Sequence, residues 1–224
     1  APGSPEVSPP PPAHAEASLD YLFKDTPQSI VLVGHPAPGK ENPDYYAFEI
    51  LDFIIGSGGF RSRVFGEVRN RLGLAYSAGS FYSARTRYGI FGAYAMANAS
   101  STLDALSAMT KILNEVKNKG VEPEELAWAK QSIINNFIFS FATPDRIAVG
   151  QMMLEHDGLP DNFLTTYKNN IEKVGLDDLR KVASRYLSEE SRVVLVLGDR
   201  ERFDRPLSSF GDFHVTEDGA GADQ

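Results

Sequence analysis

Apolar residues follow two spacings along this 224-residue chain, and each spacing predicts its own kind of element. Short β-branched blocks and every-second-residue patterns predict strands, whereas recurrence at three- and four-residue steps predicts helices. Leu19 to Phe23 and Gln28 to Gly34 (QSIVLVG) have strand length, and His35, Pro36, Pro38 and Gly39 read as the loop that follows. Pro43 opens a helix on which Tyr46, Ile50, Leu51, Ile54 and Ile55 share a face, with Gly56 to Gly59 ending it. Phe60 to Leu72 predicts a second short helix, mixing Val64, Phe65 and Val68 with Arg61, Arg63, Glu67, Arg69 and Arg71. Alternation in Ala75 to Ala84 and Gly89 to Ala97 then predicts a hairpin with one buried face, turning through Arg85, Thr86 and Arg87.

The second half is helical in pattern. Ser101 with Asp104 resembles a capping box opening a helix through Val116. Pro123, Glu124 and Glu125 open another that runs to Phe141, because proline and carboxylates suit a first turn. Thr143-Pro144 caps a third, ending near His156 to Gly158; further helices fall at Asp161 to Val174 and Leu176 to Leu187. Arg192 to Leu197 (RVVLVL) is a returning strand stopped by Gly198. Strands first, then helices, then one strand more imply an α+β fold: a mainly antiparallel sheet covered on one face by helices. Residues 1–17, with six prolines by Pro12, read as an extended linker or tail, residues 18–215 as the folded domain and 216–224 as a disordered tail.

Composition removes several functions. Apolar residues at 42% and charged residues at 23% are ordinary for a globular chain with a real core. No apolar run reaches the ~20 residues that cross a bilayer. A net charge of −8 repels a phosphate backbone, so no nucleic-acid partner is expected. The absence of cysteine excludes disulfides, thiol nucleophiles and thiolate metal sites, and four histidines leave little imidazole chemistry.

The remaining candidates are mostly structural. Gly56, Gly58 and Gly59 follow a helix rather than a strand and lack the Gly-Lys-Ser/Thr of a phosphate loop, so they read as helix termination and close packing. Glu155-His156 matches the end of an inverted H-x-x-E-H zinc motif, but Met152 stands where its first histidine belongs. His14, His35 and His214 fall in the linker or in loops without partners at ligand spacing. Asp177-Asp178 and Glu189-Glu190 sit at helix ends and read as solvated surface. Ser62, Ser77, Ser80 and Ser83 lack a nucleophile elbow, and Trp128 with the phenylalanines of Phe137 to Phe141 reads as core. What stands out is a basic helix passing through Gly73 into a strand that begins Leu74-Ala75-Tyr76-Ser77. There Arg69 and Tyr76 can aim a guanidinium and a phenol at one point, a pairing suited to gripping peptide carbonyls.

The stretch GGFRSRVFGEVRNRLGLAYSAGSFY resembles the hallmark segment of the C-terminal half of pitrilysin/insulinase zinc metallopeptidases, of the processing-peptidase type. The strand IVLVGHP, the start Asn42-Pro43-Asp44-Tyr45-Tyr46 and the ending Val194 to Asp199 with Phe203, Pro206, Leu207 and Gly211 extend the likeness over roughly Leu19 to Phe213. The resemblance implies a six-stranded half-domain that pairs with a zinc-bearing N-terminal half around a chamber. In that scheme zinc activates the attacking water on the other half, which also binds substrate as an added strand. Arg69 and Tyr76 match the substrate-holding pair of this half, zinc is expected only on the partner half, and peptide is the expected substrate. The chain is then inactive alone, its open interface predicts a homodimer when unpaired, and the family favours periplasm or cell envelope over cytoplasm. The alternative is a non-proteolytic structural or assembly subunit on the same fold.

Overall fold

A computed structural model describes residues 16–141 and 143–216. Among them β1 (Ser18–Phe23), β2 (Gln28–Pro38), β3 (Ala75–Ala84), β4 (Tyr88–Asn98), β5 (Val193–Gly198) and β6 (His214–Thr216) form one sheet in the order β3-β4-β2-β5-β1-β6. The pairs β3/β4, β4/β2 and β2/β5 are antiparallel, while β1 runs parallel to both β5 and β6. The expected linker and tail lie almost wholly outside the described residues; β6 takes in Thr216, one residue past the expected end of the domain.

The helices are α1 (Tyr45–Asp52), α2 (Thr102–Lys119), α3 (Pro123–Ser140), α4 (Pro144–His156), α5 (Phe163–Lys173) and α6 (Leu176–Tyr186). They cover one face of the sheet. Val31, Val33, Phe91, Ala93, Ala95, Val194 and Val196 point into that layer and are buried against Phe48, Leu51, Leu106, Met109 and Val182. The intervening residues face the other way, where Ile30, Phe81 and Ile90 remain exposed. A pleat of period two with a single covered side produces this split.

Three local expectations need correction. The His35 to Gly39 loop is largely strand, for β2 continues to Pro38 along β4. The prolines are tolerated because β5 pairs β2 only from Ile30 to Gly34, leaving that edge without ladder bonds at Pro36 and Pro38. The capping box at Ser101 does not form; the Asp204 carboxylate, from the far end of the chain, accepts from the N–H groups of Leu103 (2.8 Å) and Asp104 (3.2 Å). Asp104 instead pairs with Arg205 at 2.5 Å. Finally, the end of α3 is not all core: Phe137 stacks on Tyr167 with ring centres 4.2 Å apart, but Ile138 is exposed and Phe139 is 71% exposed.

Candidate functional site

The corner between the basic segment and β3 starts from close packing beneath it. After α1 the backbone widens into a π-turn, Phe53–Ser57, which lies directly on β3. A Cβ on Gly56 would sit 2.2 Å from the Ser80 nitrogen and 2.5 Å from the Gly79 carbonyl carbon, so only glycine fits there. Gly58 is similarly closed by Phe53 and Trp128, and Gly59 holds φ +70. The three glycines thus perform packing and turning, as their context suggested.

The predicted helix over Phe60 to Leu72 is a 3-10 turn, Gly59–Arg61, followed by a π-helical segment, Phe65–Arg71. Gly73, at φ +65, reverses the chain, and the Leu74 N–H donates to the Val68 carbonyl at 3.0 Å. A positive φ costs a residue with a Cβ roughly 1–2 kcal/mol, which explains glycine at this turn. Tyr76 then occupies a β-bulge, where β3 slips register against β4 between Ala75 and Ser77. Bulges re-aim side chains. Here the phenol turns onto the open face, 52% exposed, and its hydroxyl donates to Gln28 Oε1 on β2 at 3.3 Å.

The arginines of the segment divide sharply. Arg63 makes a two-pronged pair with Glu125 (2.8 and 2.6 Å), Arg71 pairs with Glu67, and Arg61 lies over the Trp128 ring. Arg71 holds the Glu67 carboxyl below its ordinary range. Among the described residues Arg61 and Arg69 have no carboxylate against them and each lies over an aromatic ring; Arg69 is the one beside the turn. Its guanidinium rests 4.6 Å from the Phe65 ring centre, and Phe65 packs edge-on against the exposed Phe60. The corner therefore presents an exposed guanidinium resting on Phe65 and an accessible phenol on either side of Gly73. Each has its own local partner; the two are not in contact with one another.

The other candidates fall where their chemistry is idle. His35 is not in a loop but on β2, buried, with Nδ1 unpartnered; burial, then Arg192 and Lys117, push its pKa down to about 4. His214 lies in β6. Met152, Glu155 and His156 are on the surface of α4. Asp178 caps the Gly175 N–H at 2.9 Å, and Asp177 pairs with Arg180. Among the described residues no group of three or more His, Asp or Glu side chains could hold a metal ion, so the donor set here does not fit zinc. No described helix is long and apolar enough to cross a membrane.

The described residues thus form a six-stranded sheet covered on one face, with Arg69 and Tyr76 flanking the turn at Gly73. The sequence profile described as "Peptidase M16 inactive domain" matches residues 1–133, which include the whole corner, and the chain belongs to this family. It is 28% identical over 173 residues to the uncharacterized zinc protease SCO5738 of Streptomyces coelicolor, covering 75% of this chain and 37% of that protein. It is 29% identical over 165 residues to the non-peptidase homolog YmxG of Helicobacter pylori, covering 72% of this chain and 38% of that one. The chain thus spans well under half the length of these relatives. A peptidase M16 inactive domain from Pseudomonas fluorescens superposes with a TM-score of 0.78 at 21% identity, over 92% of this chain and 48% of that one. That likeness establishes the shared fold.

Proposed function

We propose that this chain is the substrate-holding, zinc-less half of a zinc endopeptidase, closing the chamber opposite a zinc-bearing half and gripping extended peptide through Arg69 and Tyr76. One observation carries the reading: Arg69, exposed and without a carboxylate partner among the described residues, stands across Gly73 from a phenol that a bulge turns to the open face. A guanidinium left without an acid is available to a peptide carbonyl. The tyrosine hydroxyl, now on the amide oxygen of Gln28, can exchange that modest bond for a substrate oxygen. Both groups are hydrogen-bond donors, which suits bonding to charge that develops on a carbonyl.

The decisive experiment assembles the chain with its zinc-bearing half and compares Arg69→Ala and Tyr76→Phe with the parent. Each substitution should lower kcat/KM about a hundredfold, the usual loss on removing a positioned donor, while leaving assembly intact. Unchanged kcat/KM in both variants refutes the site. The isolated chain should cleave no peptide; chelator-sensitive cleavage by it refutes the division of labour.

A second reading, a non-proteolytic structural or assembly subunit, is favoured by one relative, the non-peptidase homolog YmxG. It predicts that the partner half lacks H-x-x-E-H and that the corner substitutions change nothing but stability. The exposed guanidinium and phenol speak for the first reading, since a scaffold needs neither.

A further inference from the structure

A cavity of about 620 Å³ opens on the helical side of the sheet, bounded by α1, α3, α4, α5 and the inner side of β3. It lies across the sheet from Tyr76 and takes no part in the corner. Two carboxylates of α1 line it, Glu49 and Asp52. Among the described lining residues the single cationic side chain is Lys40, and Lys40 is already paired with Asp157 at 2.8 Å. The cavity therefore holds two acids and no counter-cation of its own.

Each of the two acids is anchored by a hydroxyl group. Asp52 Oδ1 accepts from the Ser80 hydroxyl at 2.6 Å, and Glu49 Oε1 accepts from the Tyr167 hydroxyl at 2.6 Å. Glu49 Oε2 is buried and has no hydrogen-bond partner. An orphaned buried carboxylate oxygen is costly, and a native structure that keeps one invites a missing donor. Around it stand π-faces: Tyr45 lies 6.1 Å from Tyr82 and 6.0 Å from Phe163, and Tyr167 closes the far side. Aromatic rings beside desolvated carboxylates stabilise an organic cation through both the ring quadrupole and direct hydrogen bonds. Burial, with Asp52 adding to it, holds the Glu49 carboxyl up to about 7, against the hydroxyl groups of Tyr167 and Tyr45, which pull it down.

We propose that this cavity binds a primary alkylammonium group, its N–H donors pairing with Glu49 Oε2 and its charge enclosed by Tyr45, Tyr82 and Tyr167. The volume lies within the range of small-molecule sites, which admits an aliphatic chain behind the amine. A quaternary ammonium would satisfy the rings but not the orphan oxygen, so the primary amine is the better fit.

The test is an NMR titration of the full chain at constant ionic strength with n-butylammonium, n-butanol and tetramethylammonium. n-Butylammonium should shift the ring signals of Tyr45, Tyr82 and Tyr167 saturably, with a millimolar dissociation constant. n-Butanol should not, and tetramethylammonium should bind at least about tenfold more weakly. Glu49→Gln, an isosteric change, should weaken n-butylammonium by about tenfold or more while the unfolding transition persists. No saturable shift by n-butylammonium up to ~50 mM, or equal binding of n-butanol, overturns the proposal. Equal binding of tetramethylammonium overturns the primary-amine assignment. These comparisons use the parent chain, so they stand even if a variant fails to fold.

Discussion

Replacing Gly56 by alanine should destabilise the protein severely for its size, because the added methyl has nowhere to go. The new Cβ would stand 2.2 Å from the Ser80 nitrogen, 2.5 Å from the Gly79 carbonyl carbon and 2.5 Å from Ser80 Oγ. Ordinary contact needs about 1 Å or more of additional separation in each direction, and two of the three obstacles are backbone. Relief requires pushing the π-turn off β3, a strain of about 1–3 kcal/mol for one methyl group. The same displacement pulls Ser80 from Asp52, leaving a buried carboxylate short of a donor at a further ~1–3 kcal/mol. Alanine recovers only ~1 kcal/mol of helical propensity, so the net loss should be about 1–5 kcal/mol. For a domain of this length that lowers Tm by roughly 2–20 °C. Gly59→Ala is the control: its Cβ would meet nothing within 4 Å, so only the φ of +70 is charged, at roughly 1–2 kcal/mol. Circular-dichroism melts of the two variants decide. A Gly56→Ala protein within 2 °C of the parent, or less affected than Gly59→Ala, refutes the close-packing account.

Asp204→Ala should cost about 1–2 kcal/mol, since it strips the first turn of α2 of two charged acceptors. Ser101→Ala should change stability by less than ~0.5 kcal/mol; urea titration reads both, and the reverse ranking would restore the local capping box. Two buried groups give opposing pH slopes. His35 has its pKa lowered from 6.5 to about 4, so its share of stability is lost as pH falls through that window. Glu49 has its pKa raised from 4.5 to about 7, so its share is lost as pH rises through that one. Between about pH 4.5 and 6.5 the slopes oppose; relative to the parent, Glu49→Gln should make stability rise more steeply with pH, and His35→Leu should make it fall more steeply. Parallel stability–pH curves for parent and both variants would refute this linkage.

Most of the fold was legible in the sequence, because period and punctuation are local. Alternation in Ala75 to Ala84 and Gly89 to Ala97 gave the hairpin within a residue or so at each end, and RVVLVL before Gly198 gave β5. Pro123 and Pro144 marked the first turns of α3 and α4 where they are found. Arg69 and Tyr76 were nameable as a candidate pair from their residue types about an intervening glycine, and their seven-residue spacing mattered only through the family resemblance. Their availability was not legible, since it depends on Glu67, Glu125 and Trp128 engaging the other arginines, and on a bulge that only pairing with β4 creates.

The sequence by itself thus determined the periods, the stops and the poverty of catalytic side chains, all of which follow from neighbours along the chain. Tertiary structure decided what depends on neighbours across it. Pro36 and Pro38 could continue a strand because sheet order left their edge unpaired there. The cap of α2 came from a carboxylate a hundred residues away, and Phe139 stayed in solvent because the exposed end of its helix is covered on one side only. Two acids on one turn of α1 became a charged cavity only when Tyr82 and Tyr167, from distant elements, closed around them. Periodicity can say which side of an element is apolar, whereas burial, pairing and desolvation belong to whatever the fold sets against it.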